Sequence, residues 1–354
     1  MRNYIIKRLL LIPLTLFGIL LINFAIIQLA PGGPVEYMLA QYKGIQTSTT
    51  GNINSGTPNL NEQKYQGSKG VPEDLVKELE KQFGFDKPVH TRFIKMIKDY
   101  SSFNFGKSYY KDKTVLQLIK ERLPISISLG LWSTLLIYLI AIPLGIKKAR
   151  LDGEHFDVIS SFIIFIGSAI PVFLFAVLLI VLFAGGTYFN LFPLRGLTSD
   201  GWENFSLLHK ILDYFWHITL PTLCIVIGGV ASLTMLTKNS FIDELSKQYV
   251  LTARAKGLKN KQILYHHVFR NAMMIIIAGL PALLIKILFT GSLLIEIIFS
   301  LNGMGLLGYE AIITRDYPVI FGSLYIFTLL GLVLKLISDI TYSIVDPRIN
   351  FDKI

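Results

Sequence analysis

The stretch KNSFIDELSKQYVLTARAKGLKNKQILYHHVFR, residues 238–270, lies between two long apolar segments. It contains seven Lys or Arg residues and only two acids, Asp243 and Glu244. Apolar side chains recur at every fourth position, a spacing that predicts one face of a single helix, at Phe241, Leu245, Tyr249 and Ala253.

Gly257 is predicted to end that helix, because glycine adopts the positive φ at which helices commonly stop. A second periodic run follows with Ile263, Leu264 and Val268. A basic helix–glycine–helix between apolar segments indicates a contact surface on the cytoplasmic side of a membrane. A lipid-facing amphipathic helix pair is the alternative that the pattern leaves open.

The whole chain has the composition of a membrane protein. Its 354 residues are 52% hydrophobic and 16% charged, with a mean hydropathy of +0.53. The one cysteine, Cys224, offers no disulfide framework and no metal site. The net charge of +10 could indicate nucleic acid, but the basic residues flank apolar spans, as they do in membrane proteins. We therefore expect a lipid bilayer, and no nucleic acid, as a partner.

We predict an all-α polytopic membrane protein with six transmembrane helices, each long enough to cross about 30 Å of hydrocarbon. The first apolar core is too long for a signal peptide and has no cleavage site. The spans are predicted at Leu9–Ala30, Ile125–Ile146, Val158–Ala184, Phe215–Leu236, Ala272–Ile298 and Pro318–Ile340.

Basic residues set the predicted orientation. Arg2, Lys7 and Arg8 place the N-terminus inside, and the loop with Lys147 and Lys148 is also expected inside. Six spans then return the C-terminus to the cytoplasm. The chain divides into a first span with a long outer loop (1–124), a transporter domain (125–346) that contains the 238–270 loop, and a cytoplasmic tail (347–354). Residues 41–70 of the outer loop are polar, and a short helix is predicted over 72–84.

The triplet Gly106-Lys107-Ser108 looks like the end of a phosphate-binding loop. The Walker pattern requires glycine at 101, however, where Ser101 stands, and the segment is expected outside, away from cytoplasmic ATP. We expect no ATPase site, no metal site and no catalytic residue in this chain.

Ionisable residues inside spans are costly and call for partners or a wet environment. Lys335 and Asp339 are four residues apart in the sixth span, so they share a helix face and are predicted to pair. Lys286 in the fifth span is predicted to face a cavity or another subunit. Pro171 and Pro281 are predicted to kink the third and fifth spans.

The runs YVLTARAKGL and HHVFRNA resemble the "EAA" cytoplasmic loop of ABC importer permeases, in the form found in the oligopeptide/dipeptide family. Leu251, Thr252 and Ala253 occupy the E-A-A positions, Gly257 the glycine, and His267 stands where the general motif has Ile. The resemblance implies that this loop contacts an ATPase subunit through Tyr249, Leu251, Thr252, Ala253, Arg254, Ala255, Lys256, Gly257, His267, Arg270 and Asn271.

The segment EIIFSLNGMGLLGYEAIITRDYPVIFGSLY is similar to the re-entrant segment at the outer mouth of the same family, and both chain ends match it as well. Asn302 replaces the proline of the broad family pattern, which resembles the Yej-type peptide permeases. The resemblance implies an outer-mouth or translocation role for Glu296, Phe299, Asn302, Gly303, Gly305, Arg315 and Asp316.

What the resemblance implies is a type I ABC importer permease fold in the inner membrane, carrying peptides inward. The implied partners are a homologous second permease, two ATPase subunits that bind ATP and Mg, and an extracytoplasmic substrate-binding protein. Relatives of the family also handle nickel or glutathione.

An ion-coupled secondary transporter that uses Lys286, Lys335 and Asp339 is a further alternative, although no inverted repeat is evident. A membrane scaffold or sensor without transport is another.

Overall fold

The computed structural model describes residues 2–29, 87–186, 188–290 and 293–345. The polar segment 41–70 and the helix predicted over 72–84 lie outside the described residues. The fold is all-α, as predicted. Its helices are α1 (Arg2–Leu29), α2 (Val89–Ser101), α3 (Val115–Arg150), α4 (His155–Ala169), α5 (Val172–Phe183), α6 (Leu207–Leu245), α7 (Gln248–Ala255), α8 (Asn260–Gln262), α9 (Phe269–Thr290), α10 (Leu293–Ile298), α11 (Met304–Thr314) and α12 (Tyr317–Val345).

Within the residues that the structure describes, five helical stretches are long and apolar enough to cross a membrane, and the broken pair α4 and α5 is a sixth if it forms one span. Four of the five overlap most of the predicted spans one, two, four and six, whereas the remaining stretch, Asn260–Leu280, shares only residues 272–280 with the predicted span 272–298. The stretches are Ile6–Ile26, Val115–Arg150, Leu207–Leu245, Asn260–Leu280 and Tyr317–Thr341.

The predicted third span is not one continuous helix. α4 and α5 meet at a bend of 93°, so the kink predicted at Pro171 is confirmed, and the break in the helix is sharper than a simple kink. Ile170 has extended backbone angles, with φ −75° and ψ 122°. The cause is Pro171, because a proline ring clashes with a helical conformation of the residue before it.

The chain divides into two compact units. The first comprises Met1–Arg8, Lys120–Leu307 and Leu330–Ile354. In it α3 and α6 approach closely through small residues, as helices in membranes do. A Cβ added at Gly145 would lie 2.5 Å from the Cβ of Thr237 and 2.8 Å from the carbonyl oxygen of Thr234.

The second unit comprises Leu9–Ile119 and Gly308–Leu329, and so includes part of the region that the sequence assigned to the transporter domain. Its aromatic core brings the ring of Tyr325 within 5.5 Å of Tyr100 and 5.6 Å of Phe105. The hydroxyl of Ser108 donates to the carboxylate of Asp316.

Candidate cytoplasmic coupling site

The 238–270 segment contains a helix break that its spacing does not predict. α6 ends at Leu245, and α7 begins at Gln248 after the extended residue Lys247, with φ −74° and ψ 151°. The prediction of a single helix through Ala253 is therefore wrong. No proline or glycine lies at the break, so the sequence gives no local signal for it.

The predicted apolar stripe nevertheless packs on one core. Phe241 is fully buried and Ala253 is nearly so, and Leu245 and Tyr249 pack against the same cluster. The second predicted run joins that cluster through Ile263, Leu264 and Val268. The segment is thus a folded platform whose apolar side faces its own protein, and the interpretation as a lipid-facing helix pair is not supported.

A buried carboxylate holds this platform together. Glu244, at the end of α6, accepts hydrogen bonds from the hydroxyl of Tyr249 and from the amide of Asn271, each at 2.9 Å. Its other oxygen pairs with the ammonium of Lys247. Burial, reinforced by this carboxylate, raises the pKa of Tyr249 to about 12. Glu244 thereby joins α6, α7 and α9.

The sequence interpretation did not assign a role to Glu244. The sequence contains a weak indication of this role, because an acidic residue among many basic ones has cations and hydrogen-bond donors within reach. Two residues of the predicted contact set, Tyr249 and Asn271, serve as partners of this carboxylate and are half-buried.

Gly257 has φ +80°, in the left-handed region predicted for it. Its amide donates to the carbonyl of Arg254, and the amide of Leu258 donates to that of Ala253. This is the pattern in which a glycine closes a helix C-terminus. The chain then enters α8, where the amide of Lys259 donates to the side chain of Gln262 at 3.1 Å.

Residues Ile263–Val268 form a π-helical turn that leads directly into α9. Such turns insert an extra residue and are often found at functional sites. Here the turn places Ile263, Leu264 and Val268 in the core, while His267 is exposed.

The exposed side of the platform carries basic residues and two exposed leucine side chains. Leu251 is 52% exposed and Leu258 is 36% exposed. Besides Leu251, the exposed members of the predicted set are Thr252, Arg254, Ala255, Lys256, Gly257, His267 and Arg270. Ala253, by contrast, is 7% exposed and faces the core. A partner that docks here would meet Leu251 and Leu258 rather than Ala253.

In the first unit, Glu296 is fully buried and caps the N-terminus of α11. The hydroxyl of Ser126 donates to it at 3.1 Å, and the amide of Leu306 donates at 2.8 Å. Gly303 must be glycine here, since any Cβ would overlap the Glu296 carboxyl group.

The other predicted outer-mouth residues of this unit differ in exposure. Phe299 is buried, at 2% exposure, and Gly303 is buried as well. Gly305 is half-buried, and Asn302 is exposed. Glu296, Phe299 and Gly303 thus shape the segment from within, and their burial does not place them on a pathway surface.

In the second unit, Arg315 is exposed and has φ +56°, and the next residue, Asp316, is buried. The Asp316 carboxylate accepts from Ser108 and from the amide of Tyr109 at 3.3 Å. Burial raises the pKa of Asp316 above its usual range. The glycine–lysine–serine triplet that resembles a phosphate loop therefore contributes its serine to this carboxylate.

The predicted pair of Lys335 and Asp339 is present, with 3.6 Å between the ammonium and the carboxylate. The guanidinium of Arg8 lies 3.2 Å from the same carboxylate, so Asp339 also links α1 to α12. Loss of Lys335 alone would leave Asp339 paired. The side chains of Lys286 and Pro281 lie outside the described part of the structure.

Comparison with known proteins gives a family match over residues 141–351, to the family described as the binding-protein-dependent transport system inner membrane component.

Full-length relatives also match the chain. It is 56% identical to the inner membrane ABC transporter permease protein YejB of Escherichia coli O157:H7, covering 99% of this chain and 100% of the relative. It is 52% identical to the peptidoglycan transport system permease protein YejB of Agrobacterium fabrum, covering 100% and 99%. The oligopeptide transport system permease protein AppB of Bacillus subtilis is 32% identical, over 99% and 100%.

Among solved structures, the inward-facing MetNI methionine ABC transporter matches with a TM-score of 0.50 and 16% identity. The match covers 65% of this chain and 97% of that chain. It supports the fold alone.

Proposed function

The chain belongs to the family of binding-protein-dependent transport system inner membrane components, and from that premise we propose that it carries peptides into the cell as a permease subunit of an ABC importer. It is a multi-pass protein of the inner membrane. As a permease subunit it is not itself an enzyme, and the hydrolysis of ATP belongs to separate subunits.

Peptide cargo is supported by the relatives along the whole chain. The relative at 32% identity is named an oligopeptide permease, and the one at 52% is named a peptidoglycan transport permease. We take peptides, including those cut from peptidoglycan, as the cargo class. Two ATPase subunits, a homologous second permease and an extracytoplasmic binding protein complete the proposed importer.

The observation that carries the mechanism is the platform of residues 238–270, with its apolar side in the core and its basic side exposed. Because Glu244 ties α7 to both α6 and α9, a force applied at α7 is transmitted to both helices. Closure of the ATPase pair would move this platform, and α6 and α9 with it, between inward-open and outward-open states.

A reconstitution experiment tests the function. Proteoliposomes with both permeases, the ATPases and the binding protein should take up the peptide that copurifies with the binding protein. Uptake should require ATP and no ion gradient. Uptake driven by a gradient without ATP would contradict the proposal, and copurified nickel or glutathione would refute the peptide cargo.

The contact surface has its own test. Leu251→Asp should weaken copurification of the ATPase subunits, because it replaces an exposed apolar side chain of the proposed contact with a charged one. Ile94→Asp is the matched control, since Ile94 is 63% exposed on α2. Equal copurification of both variants would show that the ATPase binds elsewhere.

A further inference from the structure

A fully buried lysine lies at the end of α3. The Lys148 side chain has 0% exposure, and its ammonium lies 2.9 Å from the carboxylate of Asp157 on α4. It also donates to the carbonyl of Asp157 at 2.8 Å and to the hydroxyls of Ser160 and Ser161 at 2.8 and 2.7 Å. All of its hydrogen-bonding capacity is therefore used on the first two turns of α4.

A second lysine connects the same carboxylate to α6. The ammonium of Lys238 lies 2.7 Å from Asp157 and 2.7 Å from Asp152. The amide of Gly153 donates to Asp157 at 3.2 Å. One carboxylate thus joins α3, α4 and α6. We call Lys148, Asp157, Lys238 and Asp152 the ionic joint.

The rest of α4 is poorly buried within this chain. Asp157 is its only buried residue. Phe156 and Ile164 are half-buried, and six other large apolar side chains are 49–66% exposed: Val158, Ile159, Phe162, Ile163, Phe165 and Ile166. Further along, α4 approaches α6 at Gly167, where an added Cβ would lie 3.3 Å from Ile227. The ionic joint is therefore the polar attachment between α4 and α6, in addition to this close packing at Gly167.

α5, beyond the 93° bend, is held differently. Ala176 and Leu179 are buried in a cluster with Leu220 and Cys224 of α6. α5 is therefore held by apolar packing, whereas α4 has the ionic joint in addition to its packing against α6. The bend at Pro171 lets the two halves take separate directions.

Stability alone does not explain the ionic joint. Buried ion pairs recover little more than their own desolvation cost, and apolar side chains of similar size commonly serve as well or better. What paired charges add is a defined geometry, because two ammonium groups on one carboxylate fix three helices at once.

The joint also lies on the helix that bears the coupling platform. Lys238 and Glu244 are separated by less than two turns of α6. Between them, the hydroxyl of Ser240 donates to the carbonyl of Ala272 on α9 at 2.8 Å. The same end of α6 therefore contacts α3, α4, α7 and α9.

We propose that Lys148, Asp157 and Lys238 are positioning residues that make α4 follow the cytoplasmic end of α6, so that a displacement of the coupling platform reorients α4 about the bend at Pro171. This inference rests on the proposed function. Within it, the ionic joint adds a route from the platform to the third membrane segment.

The variant that tests the proposal is Lys238→Met. It cuts the connection between α6 and α4 but leaves the pair of Lys148 and Asp157 intact, so no buried charge loses its last partner. Spin labels at Ile163 on α4 and Leu236 on α6 report the distance, since both sites are exposed. The complex is measured without nucleotide and trapped with ATP and vanadate, with the buried Cys224 left in place.

In the unsubstituted complex we expect one narrow distance distribution in each state. Lys238→Met should broaden it and lower uptake about tenfold, with the ATPase subunits still copurifying. Lys238→Arg should restore both. Lys120→Met, an exposed lysine on α3, is the matched control and should change neither.

An unchanged distribution in Lys238→Met would overturn the proposal, whatever the uptake. Lost copurification would also overturn it, because the residue would then serve assembly.

If Lys238→Met fails to accumulate, Asp152→Asn replaces it, since Asp152 is 53% exposed. That variant should broaden the distribution partly, and an unchanged one would again overturn the proposal. If the unsubstituted complex shows no ATP-dependent uptake, the proposed function fails, while the distance measurement still tests the joint.

Discussion

Gly257 shows how a single backbone angle restricts the residue at one position. Its φ is +80°, yet an added Cβ would meet no atom within 4 Å. Volume therefore does not exclude a side chain here. The left-handed backbone conformation disfavours one, because it costs an ordinary L-residue roughly 1–2 kcal/mol.

We predict that Gly257→Val leaves membrane insertion intact but weakens ATPase copurification and abolishes uptake. A β-branched residue disfavours the left-handed conformation, so the backbone at position 257 would change and turn the start of α8 away from α7. Copurification and proteoliposome uptake measure the result. Gly201→Val is the matched control, because Gly201 has φ +76° and equally empty surroundings in the predicted outer loop. Wild-type uptake by Gly257→Val would refute the coupling role of this segment.

Asp316 gives the second unit a dependence on pH. Burial raises its pKa above the ordinary value of 3.8, so the folded protein holds this proton at pH values where the unfolded chain has lost it. The stabilisation is therefore complete at low pH and is lost as the pH rises from about 4 through the raised pKa.

Asp316→Asn should remove this contribution. We expect the melting temperature of the parent to decrease relative to that of the variant as the pH rises above about 4. Thermal unfolding in detergent at a series of pH values measures the difference. A gap that is constant across the series would show that Asp316 does not titrate as described.

At the scale of elements, the crossing of α3 and α6 depends on small residues. Gly145→Ala should destabilise the protein by about 1–3 kcal/mol, because the new methyl group overlaps Thr237 and a backbone carbonyl. Gly228→Ala is the control, since a Cβ at Gly228 meets nothing within 4 Å and alanine favours a helix. Chemical denaturation in detergent should separate the two, and equal stabilities would disprove the close crossing.

Local patterns predicted most of the elements and missed the features that depend on distant contacts. Fourfold spacing correctly placed Phe241 and Ala253 on one core, and Pro171 correctly marked a break. The spacing could not show the interruption around Lys247, because the hydrogen bond that Asn271 donates to Glu244 spans 27 residues of sequence. The buried position of Glu296 was equally hidden, since its partner Ser126 lies 170 residues away in sequence.

At the scale of the whole molecule, the charge pattern predicts both termini in the cytoplasm and residues 41–70 outside. A cysteine at Ser55 should therefore react with an impermeant maleimide in intact cells, while the native Cys224 is buried and should not react. A cysteine at Lys261, which is exposed, should react only after permeabilisation. The reverse pattern would invert the topology.

The break between α4 and α5 affects how long the unassembled subunit survives in the cell. The last carbonyls of α4 lack helical partners beyond Ala169, and Pro171 has no amide to offer them. Residues 168 and 169 are exposed in the single chain, and hydrocarbon cannot satisfy such groups. A subunit without its partners would therefore be unstable in the bilayer, because these carbonyl groups would face lipid without hydrogen bonds. We expect quality-control proteases to clear it quickly unless it is synthesised together with the protein that covers this break.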